Sequence, residues 1–412
     1  MLLAGDNKMC TTKQRRRLSL GALTIVLWLT SCTPSASKVP ERIPEILSRL
    51  SGEVVMECLS PAPSICRLSF PEGDSIDAAI PDCNEDCTGA ALSRDGTKIA
   101  YFKATSDGAG IWQFALGNQQ SQVVMQNEDP KISLGWTPDG ESMTYVVLRD
   151  IRVLSEDEVE AIAKNPNAPS EPVPIYHHST LHIYNLANGN EIQLTSSKGN
   201  VLAYDWSPSG DQIVISARLE DLNQDGAIDF DDPARLYIIT LSDQTLEPFV
   251  PLGISRVQML EPSWSFDGQY IAYVTDGGDL VIISTATGSE IVRFGISAGR
   301  AYRWAPDTLR IAYIGYTHPD DAVVSYTDLY MFDLATGTSK RLTDTSSRTV
   351  FGCWERNGIN LDNLAWSPDG KYVALIWRTE GKKHLVVSRV DDAQLTWVIE
   401  LEQYYRLIAW GR

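Results

Sequence analysis

The sequence predicts an all-β protein, a seven-bladed β-propeller whose C-terminal strand joins its N-terminal strands. Three observations carry that reading. A Trp-turn-strand unit recurs along the chain, its copies lie about 53 residues apart with room for four short strands, and each end holds part of a unit.

The repeat reads Trp136-Thr137-Pro138-Asp139-Gly140, Trp206-Ser207-Pro208-Ser209-Gly210 and Trp264-Ser265-Phe266-Asp267-Gly268. It returns as Trp304-Ala305-Pro306-Asp307-Thr308 and Trp366-Ser367-Pro368-Asp369-Gly370, with a weaker copy at Leu92-Ser93-Arg94-Asp95-Gly96. Pro pre-sets the first corner of a turn, Asp tolerates the second, and Gly takes the left-handed position that closes a hairpin. The segments that follow alternate as strands do, for example Lys98-Ile99-Ala100-Tyr101-Phe102 and Tyr270-Ile271-Ala272-Tyr273-Val274. Trp offers a broad apolar face for packing one sheet on the next. Two further strands complete a unit, such as Leu181–Leu186 with Glu191–Thr195.

Residues 53–59, 64–70 and 75–80 read as a unit lacking its first strand, and Tyr404–Trp410 as a first strand lacking its unit. Joining them gives seven blades and hides two sheet edges; six is the alternative count. Over residues 53–412 the chain resembles the TolB-type propeller repeat, shared with the propellers of prolyl-oligopeptidase-like peptidases. About 20 residues separate Cys32 from the first strand, too few for the N-terminal α/β domain of TolB, so the resemblance is to the repeat and not to TolB itself. A repeat that hosts many functions implies an architecture and no activity.

The N-terminus reads as an address. Lys13, Arg15, Arg16 and Arg17 precede the uncharged run Leu18–Leu29, which is shorter than the roughly 20 apolar residues that span a bilayer and suits a secretory signal. Leu29-Thr30-Ser31-Cys32 resembles the lipobox of bacterial lipoproteins, which implies cleavage before Cys32 and acylation of that thiol. The expected organisation is a signal peptide at 1–31 (with Met9 a second candidate start), a lipid-anchored linker at 32–52, and the propeller at 53–412. The expected location is extracytoplasmic, on a bacterial membrane.

Net charge is −18 for the whole chain and −22 once residues 1–31 are removed. Without a basic patch, that field excludes a phosphate-driven grip on nucleic acid. In an oxidising compartment Cys58 with Cys66, in neighbouring strands, and Cys83 with Cys87 are disulfide candidates, leaving Cys353 odd.

In a four-strand blade, first-to-second and third-to-fourth turns share one face. Second-to-third loops and blade links share the other. The Pro-Asp-Gly turns are uniform, whereas the insertions 149–179, 218–234, 316–327 and 344–362 all fall on the opposite face, which is the expected binding face. The tether leaves from the turn face, so the insertions point away from the membrane. The expected ligand there is an envelope protein, peptide or glycan.

Within 218–234, Asp221, Asn223, Asp225, Ala227 (through its carbonyl), Asp229 and Asp232 occupy positions 1, 3, 5, 7, 9 and 12 of an EF-hand calcium loop, with Gly226 at position 6. Oxygen-only ligands point to Ca2+. Position 12 is Asp in place of Glu, and strands flank the loop in place of helices, so a structural role is expected.

No complete catalytic set is visible. Gly295-Ile296-Ser297-Ala298-Gly299 has the letters of a nucleophile elbow but falls in a blade link with no helix after it. His177, His178, His182, His318 and His384 fall in or just after insertion-face loops, on different blades. Some polyuronate lyases with this repeat use propeller histidines and a metal. An enzyme acting on an acidic or carbohydrate substrate is therefore the alternative to a non-catalytic scaffold. Ser155–Lys164 reads as a short helix within one insertion.

Overall fold

The computed structural model describes residues 41–412 apart from 59–62, 72–74, 82, 84–86, 106–107, 153–174, 230, 250–257, 297–300, 318–325, 345–357, 380–381, 403–404 and 412. Cys10, Cys32, the 155–164 segment, His318 and Cys353 lie outside the described residues.

After a one-turn helix, α1 (Pro44–Leu47), every element among the described residues is a strand. The chain begins with β1 (Gly52–Cys58), β2 (Ser64–Phe70) and β3 (Asp77–Ala78), then β4 (Cys87–Leu92), β5 (Lys98–Thr105), β6 (Gly108–Ala115) and β7 (Gln120–Asn127). Next come β8 (Lys131–Trp136), β9 (Ser142–Arg152), β10 (Ile175–Asn185) and β11 (Glu191–Gln193), then β12 (Asn200–Trp206), β13 (Gln212–Arg218), β14 (Arg235–Thr240) and β15 (Thr245–Pro248). They are followed by β16 (Met259–Trp264), β17 (Tyr270–Thr275), β18 (Asp279–Ser284) and β19 (Glu290–Gly295), and by β20 (Tyr302–Trp304), β21 (Arg310–Thr317), β22 (Tyr326–Asp333) and β23 (Thr338–Arg341). The last are β24 (Gly358–Trp366), β25 (Tyr372–Thr379), β26 (Lys382–Arg389), β27 (Leu395–Leu401) and β28 (Tyr405–Gly411).

These strands pair as antiparallel units of four neighbours in chain order. Two units, β8–β11 and β12–β15, merge into one eight-stranded sheet through the single parallel pair Ser179↔Asn200. The exception to chain order is β28, which pairs with β1 from Glu53↔Gly411 to Cys58↔Tyr405 and heads the sheet β28-β1-β2-β3.

Second strands are buried on both faces, as the run Ile213–Arg218 shows, because successive side chains enter different cores. Met143, Tyr145 and Val147 of β9 pack toward β5 and β6, while Val146 and Leu148 pack toward β12 and β13. Seven such core clusters occur among the described residues, each shared by two four-strand units; one unites β24–β27 with β1, β2 and β28. Ile46 and Leu50, 1% and 3% exposed, join that last cluster, and Ile43 N donates to Thr396 Oγ1 at 2.8 Å.

Each repeat Trp packs on the preceding unit. The indole N–H donates across the gap from Trp136 to Ala91 O at 3.0 Å, Trp206 to Thr144 Oγ1 at 3.1 Å, Trp304 to Ser263 O at 3.1 Å and Trp366 to Arg303 O at 3.0 Å, whereas Trp410 donates to Ser51 O, just before β1 of its own sheet, at 2.9 Å. Trp264 is equally buried but its Nε1 has no partner.

The turns contain a device beyond Pro-Asp-Gly. The hydroxyl after the Trp donates to the turn carboxylate, as in Thr137 Oγ1 to Asp139 Oδ1 at 2.6 Å, and accepts the amide five residues on, Ser142 N at 3.0 Å. The same arrangement holds at Ser93, Ser265 and Ser367, and the Ser93 hydroxyl lowers the carboxyl pKa of Asp95. Gly140, Gly210, Gly268 and Gly370 all have φ between 66° and 78°, the left-handed region where a Cβ is strained.

Candidate functional site

The boundaries of the insertions differ from those expected. β9 and β10 stay paired from Asn185↔Ser142 to Ile175↔Arg152, so the segment between them is 153–174, not 149–179. A ladder once started adds a backbone hydrogen bond with each further pair. Likewise β21 with β22, and the start of β24, trim the others to 318–325 and 342–357. His177 and His178 accordingly belong to β10 and not to a loop.

The acidic loop joins β13 to β14 and is built by its own side chains. Asp221 accepts Asp225 N at 3.2 Å and Gly226 N at 2.9 Å through different oxygens, and Asp225 Oδ1 accepts Ala227 N at 2.9 Å. Asn223 Oδ1 accepts Asp225 N at 2.9 Å, and Gly226 turns the chain with φ +94°. Asp232 lies beneath, 1% exposed, clasping both ends of the loop: Oδ1 accepts Leu222 N at 2.8 Å and Asn223 N at 3.1 Å, and Oδ2 accepts Asp229 N at 3.1 Å. Below it Arg218 Nε donates to Asp232 O at 2.8 Å.

A carboxylate offers about four lone-pair sites. Asp221, Asp225 and Asp229 each keep sites open after these bonds, while Asp232 Oδ1 is fully used. The donor set is the oxygen-only kind that suits a hard cation, and Asp232 in addition clasps the loop through amides of Leu222, Asn223 and Asp229. Among the described residues, no three His, Cys, Asp or Glu side chains form a ready-made metal cluster.

His182 and His384 are buried. His182, 5% exposed, stacks on Tyr145 at 5.7 Å and contacts Thr180 Oγ1 at 2.9 Å. Its Nδ1 is 2.8 Å from Glu191 Oε1, and Tyr145 Oη donates to the same oxygen at 2.7 Å. Burial lowers the His182 pKa against the pull of Glu191 and raises that of Tyr145. His384, also 5% exposed, meets Trp397 edge-on at 6.1 Å, both ring nitrogens lack partners, and burial lowers its pKa. His182 and His384 occupy third strands of different units. Gly295 ends β19 and Ile296 is buried; Ser297–Gly299 lie outside the described residues.

Cys58 is bonded to Cys66 across the β1–β2 hairpin, and Cys83 to Cys87 just before β4. No described helix is long and apolar enough to cross a membrane.

No family model matches the chain. It is 25% identical over 238 residues to an uncharacterized protein of Agrobacterium fabrum, covering 50% of this chain and 76% of that one. Among solved structures it is similar to an oligogalacturonate lyase in complex with manganese (15% identity, TM-score 0.58) and to the oligogalacturonate lyase of Vibrio parahaemolyticus (12%, 0.59), each alignment covering 86% of this chain and 89% of the other. TolB from Acinetobacter baumannii aligns with 14% identity over 87% of this chain and 67% of that one, at a TM-score of 0.45. The fold is an all-β propeller of antiparallel sheets.

Proposed function

We propose that this chain is a lipid-anchored, extracytoplasmic, seven-bladed β-propeller acting as a non-catalytic scaffold. It engages an envelope protein, peptide or glycan through its insertion-bearing strand ends, with a structural Ca2+ in the 221–232 loop. The observation that carries the reading is the inequality of the connectors. Each first-to-second turn is short and alike, for example 137–141, 207–211 and 367–371, whereas connectors at the other strand ends run from 106–107 to 153–174. Variation confined to one end of a rigid scaffold marks a surface shaped for recognition.

Seven blades are supported by the seven shared cores and by β28 completing the sheet of β1, β2 and β3. The tether side is supported by α1. Ile43 meets Thr396 at the start of β27, beside the 390–394 turn, so the described chain enters the sheets at the turn end. Photo-crosslinkers placed in 149–179 and 344–362 in intact cells, with captured species identified by mass, test the proposal. A partner captured there and not from the five-residue turns is expected; capture only from the turns overturns it.

The second reading, a lyase or hydrolase acting on an acidic or carbohydrate substrate, draws on the activity of the two lyases of similar fold. Cleavage of oligogalacturonate with added Mn2+ would establish it.

A further inference from the structure

Among the described outer strands of the four-strand units, β7 differs from the rest in charge and in length. It runs Gln120-Ser121-Gln122-Val123-Val124-Met125-Gln126-Asn127, eight residues with no Asp, Glu, Lys, Arg or Pro. Every other described outer strand is shorter and carries a charge: Asp77 in β3, Glu191 in β11, Glu247 in β15, Glu290 and Arg293 in β19, Lys340 and Arg341 in β23, and Glu400 in β27. Charges and shortness keep a free sheet edge from pairing with another chain. β7 has neither.

The strand is firmly held on its inner side. It pairs with β6 from Ala115↔Gln120 to Ala109↔Asn127, and no described strand lies on its outer side. Tyr101 Oη donates to Ser121 Oγ at 3.2 Å, Gln113 Nε2 to Gln122 Oε1 at 3.0 Å and Gln126 Nε2 to Thr105 Oγ1 at 2.7 Å. One carbonyl is withdrawn from the edge: at a bulge, Val124 O accepts from Tyr184 Oη at 3.2 Å. Val123 beside it is 42% exposed. The units on either side end in β3 and β11, of 2 and 3 residues, so neither neighbouring outer strand matches the length of β7.

The chemistry of the edge selects its occupant. The chain carries a net charge of −18, so a foreign partner would draw on basic residues, and β7 has no carboxylate to meet them. A second copy brings the same uncharged strand. Read in either direction, β7 has amides toward its ends and aliphatic side chains at its centre. Laid antiparallel on itself, it sets amides against amides and valine against valine, with no like charges opposed. We propose that two copies of this chain join β7 to β7 about a twofold axis, extending the β4–β7 unit of each into one eight-stranded sheet. The contact consumes the one edge each copy offers, so association stops at two.

The test is sedimentation equilibrium of the full chain in density-matched detergent, with amide exchange at low and high protein concentration to locate the contact. A mass rising to that of two chains with a micromolar dissociation constant is expected for so small an interface, with slowed exchange confined to residues 120–127. Val123→Lys, which opposes like charges at an exposed position, should weaken pairing at least tenfold. Ile291→Lys, equally exposed on β19 at 49%, should leave it unchanged. Gln122→Lys repeats the test at a second exposed position of β7, and melting temperatures report that each variant folds. The proposal is overturned if the chain stays single up to about 100 μM, if the slowed exchange lies outside 120–127, or if the β7 variants pair as well as Ile291→Lys does.

Discussion

The Tyr204 hydroxyl occupies the space where a side chain at Gly135 would begin: a Cβ built on Gly135 comes within 2.8 Å of that oxygen. The hydroxyl is fixed there by two carbonyls of the neighbouring unit, Ser133 O at 2.7 Å and Thr144 O at 2.9 Å. Tyr302 repeats the clasp on Glu261 O and on Ala272 O at 2.9 Å. Gly135→Ala should therefore destabilise by about 1–3 kcal/mol through overpacking, and Tyr204→Phe by about 1 kcal/mol through the lost bonds. Denaturant unfolding of the double variant should show less than the sum, because removing the hydroxyl makes room for the methyl. Strict additivity would refute the clasp.

Calcium should stabilise the fold through the 221–232 loop. At a hundred times its dissociation constant a bound ion adds about 2.7 kcal/mol, readable as a rise in melting temperature that EGTA reverses. Asp225→Asn should blunt the rise, and Asp232→Asn should also lower stability without calcium because its carboxylate holds Leu222, Asn223 and Asp229 N. Equal melting in calcium and in EGTA would rule the ion out.

Two sets of groups oppose each other in acid. The Asp205 carboxylate holds Trp206 N at 3.0 Å, Trp264 N at 2.7 Å and Ser263 Oγ at 3.0 Å, yet burial outweighs these bonds and pushes its pKa up to about 6. The folded form then binds its proton more tightly than the unfolded chain. Asp205 thus lowers stability as pH rises from 4 to 6, by about 1.5 kcal/mol after halving for the solvent it still touches. His182 and His384 have lowered pKa values, so the unfolded chain takes their protons first and stability is lost as pH falls below 6.5. Asp205→Asn should therefore steepen the loss between pH 6 and 4, and His384→Phe should flatten it. A titration of melting temperature in which Asp205→Asn flattens the curve would contradict this assignment.

Peptide mapping under non-reducing conditions should recover Cys58 joined to Cys66 and Cys83 to Cys87. The loops they close are short, so reduction should cost about 2 kcal/mol for each on the chain-entropy estimate. Any other pairing would redraw the first sheet.

Much of the fold is legible in the chain because turn chemistry and Trp spacing are local signals, and β5 and β17 begin where the pattern places them, at Lys98 and Tyr270. The acidic loop was legible for the same reason, since its spacing is written in consecutive residues. Its clasp was not: only the folded loop shows the Asp232 carboxylate accepting the amides of Leu222, Asn223 and Asp229. Long-range relations were equally hidden. The extension of β9 and β10 depends on backbone pairing to which side-chain pattern is nearly blind, and the unpartnered Trp264 Nε1 emerges only in three dimensions. Ile46 and Leu50, in what reads as linker, gave no signal because four residues of helix are too few to show a period.

The pairing of β28 with β1 joins strands from opposite ends of the described residues. During synthesis the sheet of β1, β2 and β3 must wait, one edge open, until Tyr405–Gly411 emerge. A truncation before Tyr405 would therefore leave a sticky, unfinished molecule in place of a slightly shorter working one.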